Sequence, residues 1–160
     1  MNTPSTKSPS ERLAELGLTL PSAAQPTFNY VPVVIHRDLA FVSGQLPKVD
    51  GEVKIHGCLG VNVDMDQACE AARVCAIQAL ACLADALGSL DRVERIVRLT
   101  GFVASAPGFH QQPAVIDAAS ELMVQVFGEA GRHARSAVGV SALPRAAPVE
   151  LEVIAAIRAA

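Results

Sequence analysis

The chain has 160 residues, 51% of them apolar and only 4% aromatic, and its 13 basic and 16 acidic side chains leave a formal charge of -3. That length holds one domain with a substantial core. The cations are scattered, with no basic cluster and no interleaved aromatics, which argues against general RNA or DNA binding. No run approaches the roughly 18 apolar residues of a membrane span, and the polar start Met1–Ser10 lacks the apolar core of a signal peptide. A soluble, cytoplasmic protein is the expectation.

Residues 1–10 read as disordered, and Ser10 opens a short helix with Leu13 and Leu16 apolar and Gly17 as terminator. A first hairpin follows, Val31 to His36 and Leu39 to Gln45, turning at Arg37-Asp38. Residues 48–64, with Asp50-Gly51, Gly57 and Gly60, read as a loop. From Asp66 to Leu87 the residues Cys69, Ala72, Ala76, Leu80, Leu83 and Leu87 recur at helical spacing, and Gly88 caps the end. The small residues on that stripe let the helix lie close to a sheet.

Val93 to Ala104 alternates as a strand, broken by Pro107-Gly108. A second helix spans Gln112 to Phe127, with Val115, Ala119, Leu122, Met123 and Val126 inward, stopping at Gly128 or Gly131. Two more alternating runs, Ser136 to Leu143 and Val149 to Ile157, flank Pro144-Arg-Ala-Ala-Pro148 and most simply pair as an antiparallel hairpin. Two helices covering one face of a mostly antiparallel sheet make an α+β domain. Residues 1–27 are read as an extension and residues 28–160 as the single domain. A core of Ala, Val, Leu and Ile leaves more apolar surface than a small monomer easily hides, which hints at oligomerisation.

Cys58, Cys69, Cys75 and Cys82 form no CxxC pair and have no histidines at zinc-site spacing, so neither disulfide nor metal is assigned. Cys75 and Cys82 share one helix and read as core thiols. Cys58 lies in the Gly-rich stretch, where a reactive thiol and an inert one are both open readings.

Arg135 and Glu150 each interrupt an apolar context at the mouth of a strand. A guanidinium holds a carboxylate by two parallel hydrogen bonds, and a carboxylate beside an apolar strand orients or deprotonates water. Together they point to a small carboxylated substrate attacked by water. If the last two strands form a plain hairpin turning at Arg145 and Ala146, Glu150 lies across from Val140, five residues from Arg135, or about 17 Å. Either the two serve different sites, or each site takes its Arg from one chain and its Glu from another. A bulge at Gly139 would alter that geometry. By themselves Arg135 reads as a solvated strand-end arginine, Glu150 and Glu152 as outward strand residues, Tyr30 as a packing residue, Ser43 as a hydrogen-bonded strand serine and His133 as a surface histidine.

The segments Phe41-Val-Ser-Gly-Gln-Leu-Pro47, Arg135-Ser-Ala-Val-Gly-Val-Ser-Ala-Leu-Pro144 and Val149-Glu-Leu-Glu-Val-Ile-Ala155 resemble the signatures of the reactive intermediate deaminase (Rid) family, also called YjgF-like or endoribonuclease L-PSP-like. In order and spacing the likeness covers residues 28 to 158, in a chain longer than the compact members. The resemblance implies a chorismate-mutase-like fold in which three subunits pack around a central barrel, with clefts between neighbours. It also implies an enamine/imine deaminase: a hydrolase, 2-iminobutanoate/2-iminopropanoate deaminase-like, that needs no cofactor.

By the same resemblance Arg135 grips the substrate carboxylate, Glu150 orients water, Tyr30 lines the pocket, and Ser43 and Gly44 face the ligand. Ala137 stands where the best-known deaminases often have Cys, which loses a thiol and keeps a backbone donor. The helix position that is commonly Asn falls on Asp117 or Ile116, and an Asp there would repel a carboxylate. The alternative reading is a ligand-binding regulatory trimer using the same cleft. Ribonuclease activity, which the family's older name suggests, is disfavoured by the acidic, patch-free composition.

Overall fold

The computed structural model describes residues 7–159. Helix α1 (Pro9–Glu15) starts two residues earlier than Ser10 predicts. Ser8 is the cap: its hydroxyl accepts from the Glu11 N–H while the Glu11 carboxylate accepts from the Ser8 N–H. This reciprocal box uses Pro9 where a missing N–H costs nothing. Leu13 enters the core, and the Ser10 N–H donates to the Asp91 carboxylate. Residues 8–10 are therefore structured, contrary to the expected disorder, and residues 1–6 lie outside the described residues.

Strands β1 (Val33–His36) and β2 (Leu39–Gln45) form the expected hairpin, with Arg37 in the left-handed region at its turn. The next stretch, expected to be a loop, contains a second small hairpin of β3 (Lys48–Val49) and β4 (Glu52–Val53). Its turn is Asp50-Gly51, both at positive φ (54° and 80°). Two consecutive left-handed residues are the primed-turn geometry that Asp-Gly favours. The buried Gln78 amide ties this hairpin down by donating to the Lys48 carbonyl.

Helix α2 (Met65–Leu87) is boxed at its start by Asp64 and Gln67 and ends at Gly88 in the left-handed conformation. Strand β5 (Val93–Ala104), helix α3 (Gln112–Phe127), strand β6 (Ala134–Val140) and strand β7 (Val149–Ile157) complete the fold. The five long strands form one sheet in the order β1-β2-β7-β5-β6.

That order overturns the terminal hairpin. β6 and β7 are not paired: β6 runs parallel to β5, with Leu99 beside Arg135, and β7 lies antiparallel between β5 and β2. Burial explains the choice. Val149, Leu151, Val153, Ala155 and Ile157 are all buried and need a central strand, whereas β6 carries no fully buried residue and suits an edge. β5 then reaches β6 through α3, a crossover connection of the kind that parallel pairing requires. Gly139 pairs in register with Val103; the irregularities lie at Val42/Gln45 in β2 and within Val93–Arg98 in β5.

Both helices pack on one face, α2 chiefly over β7 and β2, α3 over β5 and β6, with α1 against α3. The α2 contact stripe includes Ala68, Ala72, Cys75, Ala76 and Ala79, whose short side chains allow close approach, and Leu80 and Leu83 fill the remaining space. Each such fully buried Leu is worth about 1.5–3 kcal/mol of transfer free energy. Cys75 and Cys82 are buried there as expected, and burial pushes the Cys75 thiol well above its ordinary pKa. Cys69, placed on the same stripe by the periodicity, is only partly buried.

Under α3 the spacer is Gly101: a Cβ at this position would overlap the Ile116 side chain, so the glycine lets Ile116 seat directly on β5. With Ile116 fully buried, its neighbour Asp117 is rotated about 100° around the helix and emerges at the margin of α3 facing β6.

The opposite sheet face has no helix over it. By register it presents one row of Val34, Phe41 and Ile154 running into Arg98 and another of Phe102 and Val138 beside Glu150, with Glu152, Thr100 and Ser136 between them, and Val34, Phe41 and Val138 are exposed. Among the described residues no helix is long and apolar enough to cross a membrane.

Candidate functional site

The first cluster forms where α3 meets the edge strand. Gly131 permits it: a Cβ there would overlap the backbone of Met123, so only glycine lets the turn after α3 pass this close beneath the helix. The chain then enters β6 with His133 and Arg135, two apart and therefore on one face, directed at α3. Helix residues Asp117, Ser120, Glu121 and Val124 follow the i, i+3, i+4, i+7 spacing of a single helix face. With Gln125, Arg132, His133 and Arg135 they line a cleft of about 480 Å³.

The guanidinium is fixed by one nitrogen. Arg135 Nη1 donates to Asp117 Oδ1 at 3.1 Å and to Ser120 Oγ at 3.1 Å. Ser120 is in turn held by His133. The ring Nδ1 lies 2.6 Å from the Gly131 carbonyl, which can only accept, so Nδ1 carries the proton. In the neutral ring Nε2, 3.0 Å from Ser120 Oγ, accepts the serine hydroxyl. Burial lowers the His133 pKa, with the nearby Arg135 charge adding to the effect against the Gly131 bond, and this favours the neutral ring. His133 is thus a bonded, half-buried member of the cluster rather than the surface histidine that its sequence context indicates.

A second cluster lies on the other side of the sheet. Tyr30, Pro32, Gly44, Arg145 and Glu150, with Phe28 and the Ala24–Thr27 segment, line a cleft of about 200 Å³. Glu150 stands over Gly44 so closely that a Cβ on the glycine would overlap its carboxylate. The carboxylate has neither ion pair nor hydrogen bond among the described residues, and burial raises its pKa, with Glu152 adding to the shift. A carboxyl so placed is a better proton acceptor than an ordinary glutamate. Ser43 does not line this cleft; its hydroxyl donates to the Val31 carbonyl at 2.7 Å and so holds the segment that carries Tyr30. Ala137 lies beside Gly101 on β6, packed partly against the core, and lines neither cleft.

Arg135 and Glu150 do not meet within one chain, for a reason other than the hairpin geometry. Arg135 is in register with Leu99, which is buried under the helices, whereas Glu150 is in register with Phe102, whose side chain belongs to the opposite face. Their backbones are three residues and two strand spacings apart, on the order of 14 Å, and their side chains leave the sheet in opposite directions. Sequence reasoning missed Ser120 as a partner of Arg135. The signal was Asp117 and Ser120 at i, i+3 on the polar face of α3, which carries information only once β6 is known to lie beside that face.

Comparison with known proteins agrees with this architecture. Residues 10–155 match the family described as "YjgF/chorismate mutase-like, putative endoribonuclease". Protein TCP17 of Trypanosoma cruzi is 47% identical over 143 residues, 89% of each chain. The crystal structure of Atu1372 from Agrobacterium tumefaciens is 48% identical with a TM-score of 0.86, over 92% of this chain and 91% of that one. A structure from Shewanella oneidensis, titled a putative endoribonuclease, is 32% identical with a TM-score of 0.90, over 94% of this chain and 100% of that one. With its motifs, its α+β sheet and these relatives in agreement, the chain belongs to the YjgF-like, endoribonuclease L-PSP family.

Proposed function

We propose that the protein is an enamine/imine deaminase that hydrolyses small 2-imino or 2-enamino acids to 2-oxo acids and ammonia, in clefts assembled from two copies of the chain. The observation that supports it is the division of labour between the two clusters: a fixed guanidinium on one face, and an unpaired, half-buried carboxylate beside Tyr30 and Gly44 on the other. The uncovered sheet face supports association, because exposed apolar side chains such as Val34, Phe41 and Val138 on one face mark interfaces; a cyclic trimer is the arrangement we propose.

In this reading Arg135 of one copy binds the substrate carboxylate, and Glu150 of the next takes a proton from water as its oxygen bonds to the imine carbon. Glu150 then passes that proton to the carbinolamine nitrogen and takes up the hydroxyl proton as the C–N bond breaks, so that the 2-oxo acid and ammonia leave and the last proton goes to solvent. A protonated imine is already electrophilic, so positioning and modest proton transfer are all the protein has to supply. The family description and the Shewanella relative both carry the word endoribonuclease. The Arg135 cleft, however, sets Asp117 and Glu121 against Arg132 and Arg135 and lacks the positive excess that a phosphodiester backbone requires. A regulatory, purely ligand-binding trimer would use the same two clusters without turnover.

Ammonia release from imino acids generated in situ tests the chemistry, and mixed assembly tests the composite site. Arg135→Ala and Glu150→Gln are each expected to lose turnover alone. When the two are unfolded, mixed in equal amounts and refolded, random association restores about a quarter of wild-type activity if each site draws one residue from each of two copies. Inactive mixtures that are folded and co-assembled would refute the composite site. Undiminished turnover in Glu150→Gln would refute the mechanism.

A further inference from the structure

We infer that Asp117 is a specificity-determining residue, selecting ligands that carry a cationic nitrogen next to their carboxylate over ligands that are carboxylates alone. The inference rests on the reading of the Arg135 cleft as a carboxylate site and adds the class of ligand it accepts.

The argument begins with how Arg135 is held. Asp117 and Ser120 both bond to Nη1, and Nε and Nη2 have no partner among the described residues. Those two nitrogens are not buried without a partner; the one atom in that condition among the described residues is Arg92 Nε. Nε and Nη2 form a parallel pair of donors, the edge that takes a carboxylate in bidentate fashion. Asp117 therefore does not occupy the carboxylate's place. It stands beside it, paired to the same guanidinium through Nη1.

The acid is also turned outward. The Asp117 side chain is 61% exposed against 24% for Arg135, and its Oδ2 has no hydrogen-bond partner among the described residues. Glu121, one turn on, lines the same cleft, and Arg132 is drawn off by Glu129 at 3.2 Å. A simple anion arriving at Arg135 thus meets a cleft whose positive charge is already balanced, with a carboxylate next to its landing place. A ligand whose neighbouring carbon bears a protonated amine or imine brings N–H donors and a positive charge to that carboxylate. Its two ends then match the fixed Arg135–Asp117 pair end to end. In this proposal the repulsion expected between Asp117 and a carboxylate acts as a filter: paired to Arg135, the acid discriminates rather than excludes.

The test is calorimetric titration of the full-length, assembled protein with two isosteric probes, 2-aminobutanoate as the zwitterion and 2-hydroxybutanoate as the plain carboxylate, at neutral pH. Wild type is expected to bind the amino acid about tenfold more tightly, the size of effect that one partly screened charge pair gives. Asp117→Asn is expected to weaken the amino acid, tighten the hydroxy acid and erase the preference. A purely structural role for Asp117 would weaken both probes alike, so an unchanged ratio in the variant, or no preference in wild type, overturns the proposal. Arg135→Ala separates the two levels. Loss of both probes there, with the ratio unmoved in Asp117→Asn, leaves the carboxylate site standing and removes only the role of Asp117. Full binding of both probes by Arg135→Ala, or no binding of either by wild type, removes both readings together.

Discussion

The two clefts are built on opposite principles. Around Arg135 the anchoring groups are interlocked: histidine holds serine, and serine and aspartate hold one nitrogen of the guanidinium, which leaves Nε and Nη2 open to a ligand. Around Glu150 the carboxylate itself is unengaged among the described residues, resting over a glycine in a cleft where proline and aromatic side chains stand beside Lys48 and Arg145. An interlocked group keeps its orientation and loses little entropy when a ligand binds it. An unpaired, partly desolvated carboxylate gives up that rigidity and gains basicity. In the proposed function the first cleft serves recognition and the second proton transfer, and three measurements break or sharpen that division.

The largest effect is expected at Gly44. In Gly44→Ala the new methyl displaces the Glu150 carboxylate, and a misplacement of about 1 Å costs on the order of 10²-fold in turnover, with carboxylate affinity and the thermal midpoint nearly unchanged. Steady-state ammonia release beside probe titration reads both; an affinity loss as large as the rate loss would erase the distinction between the clefts. A smaller effect is expected in the other cleft, in the other parameter. Ser120→Ala removes the link between His133 and Arg135; a loss of about 1.5 kcal/mol, the low end for a hydrogen bond to a charged group, is roughly tenfold in carboxylate affinity, and kcat stays as in wild type. A fall in kcat without a change in affinity would place Ser120 in the chemistry instead.

The smallest effect is on stability, and it has opposite signs in the two clefts. Glu150 has its folded pKa above the ordinary value of 4.5, so the folded state holds that proton longer than the unfolded chain does. Its contribution is intact below about pH 4 and is lost as pH rises through the folded pKa. His133 has its folded pKa below 6.5, so its contribution is intact above that value and is lost as pH falls through the folded pKa. Thermal melts from pH 4 to 8 should therefore show Glu150→Gln gaining on wild type as pH rises and His133→Gln gaining as pH falls. Parallel curves would mean that burial does not shape either group.

The elements were largely legible because their signals are local. The bounds of β2, β5, α3 and β7 follow from alternation, helical spacing and the Gly and Pro residues at their ends. Two of the misses were local ambiguities with two good solutions, Ser8 or Ser10 as a cap and Asp50-Gly51 as a loop or as the turn of β3 and β4, and a third was β6, read as Ser136 to Leu143 and found at Ala134–Val140. Arg135, Tyr30, Gly44 and Glu150 stand out through their setting and motifs, and the structure distributes them between two clefts. Ser43 and Ala137 line neither, because one hydroxyl is spent on Val31 and the other side chain packs beside Gly101.

The sequence by itself determined which segments are helix and strand and which polar residues interrupt them, since those choices depend on neighbours within a few positions. Only the tertiary structure decided which strand lies beside which. The pairing of β6 with β5 rather than β7 is a competition among edges, settled by how much apolar surface each strand must bury. That one decision sets Arg135 against Asp117 and Ser120, and sends Glu150 to the other face. No spacing along the chain encodes it, because the partners it brings to Arg135, 18 and 15 positions away, sit on a helix that must first be laid across the sheet.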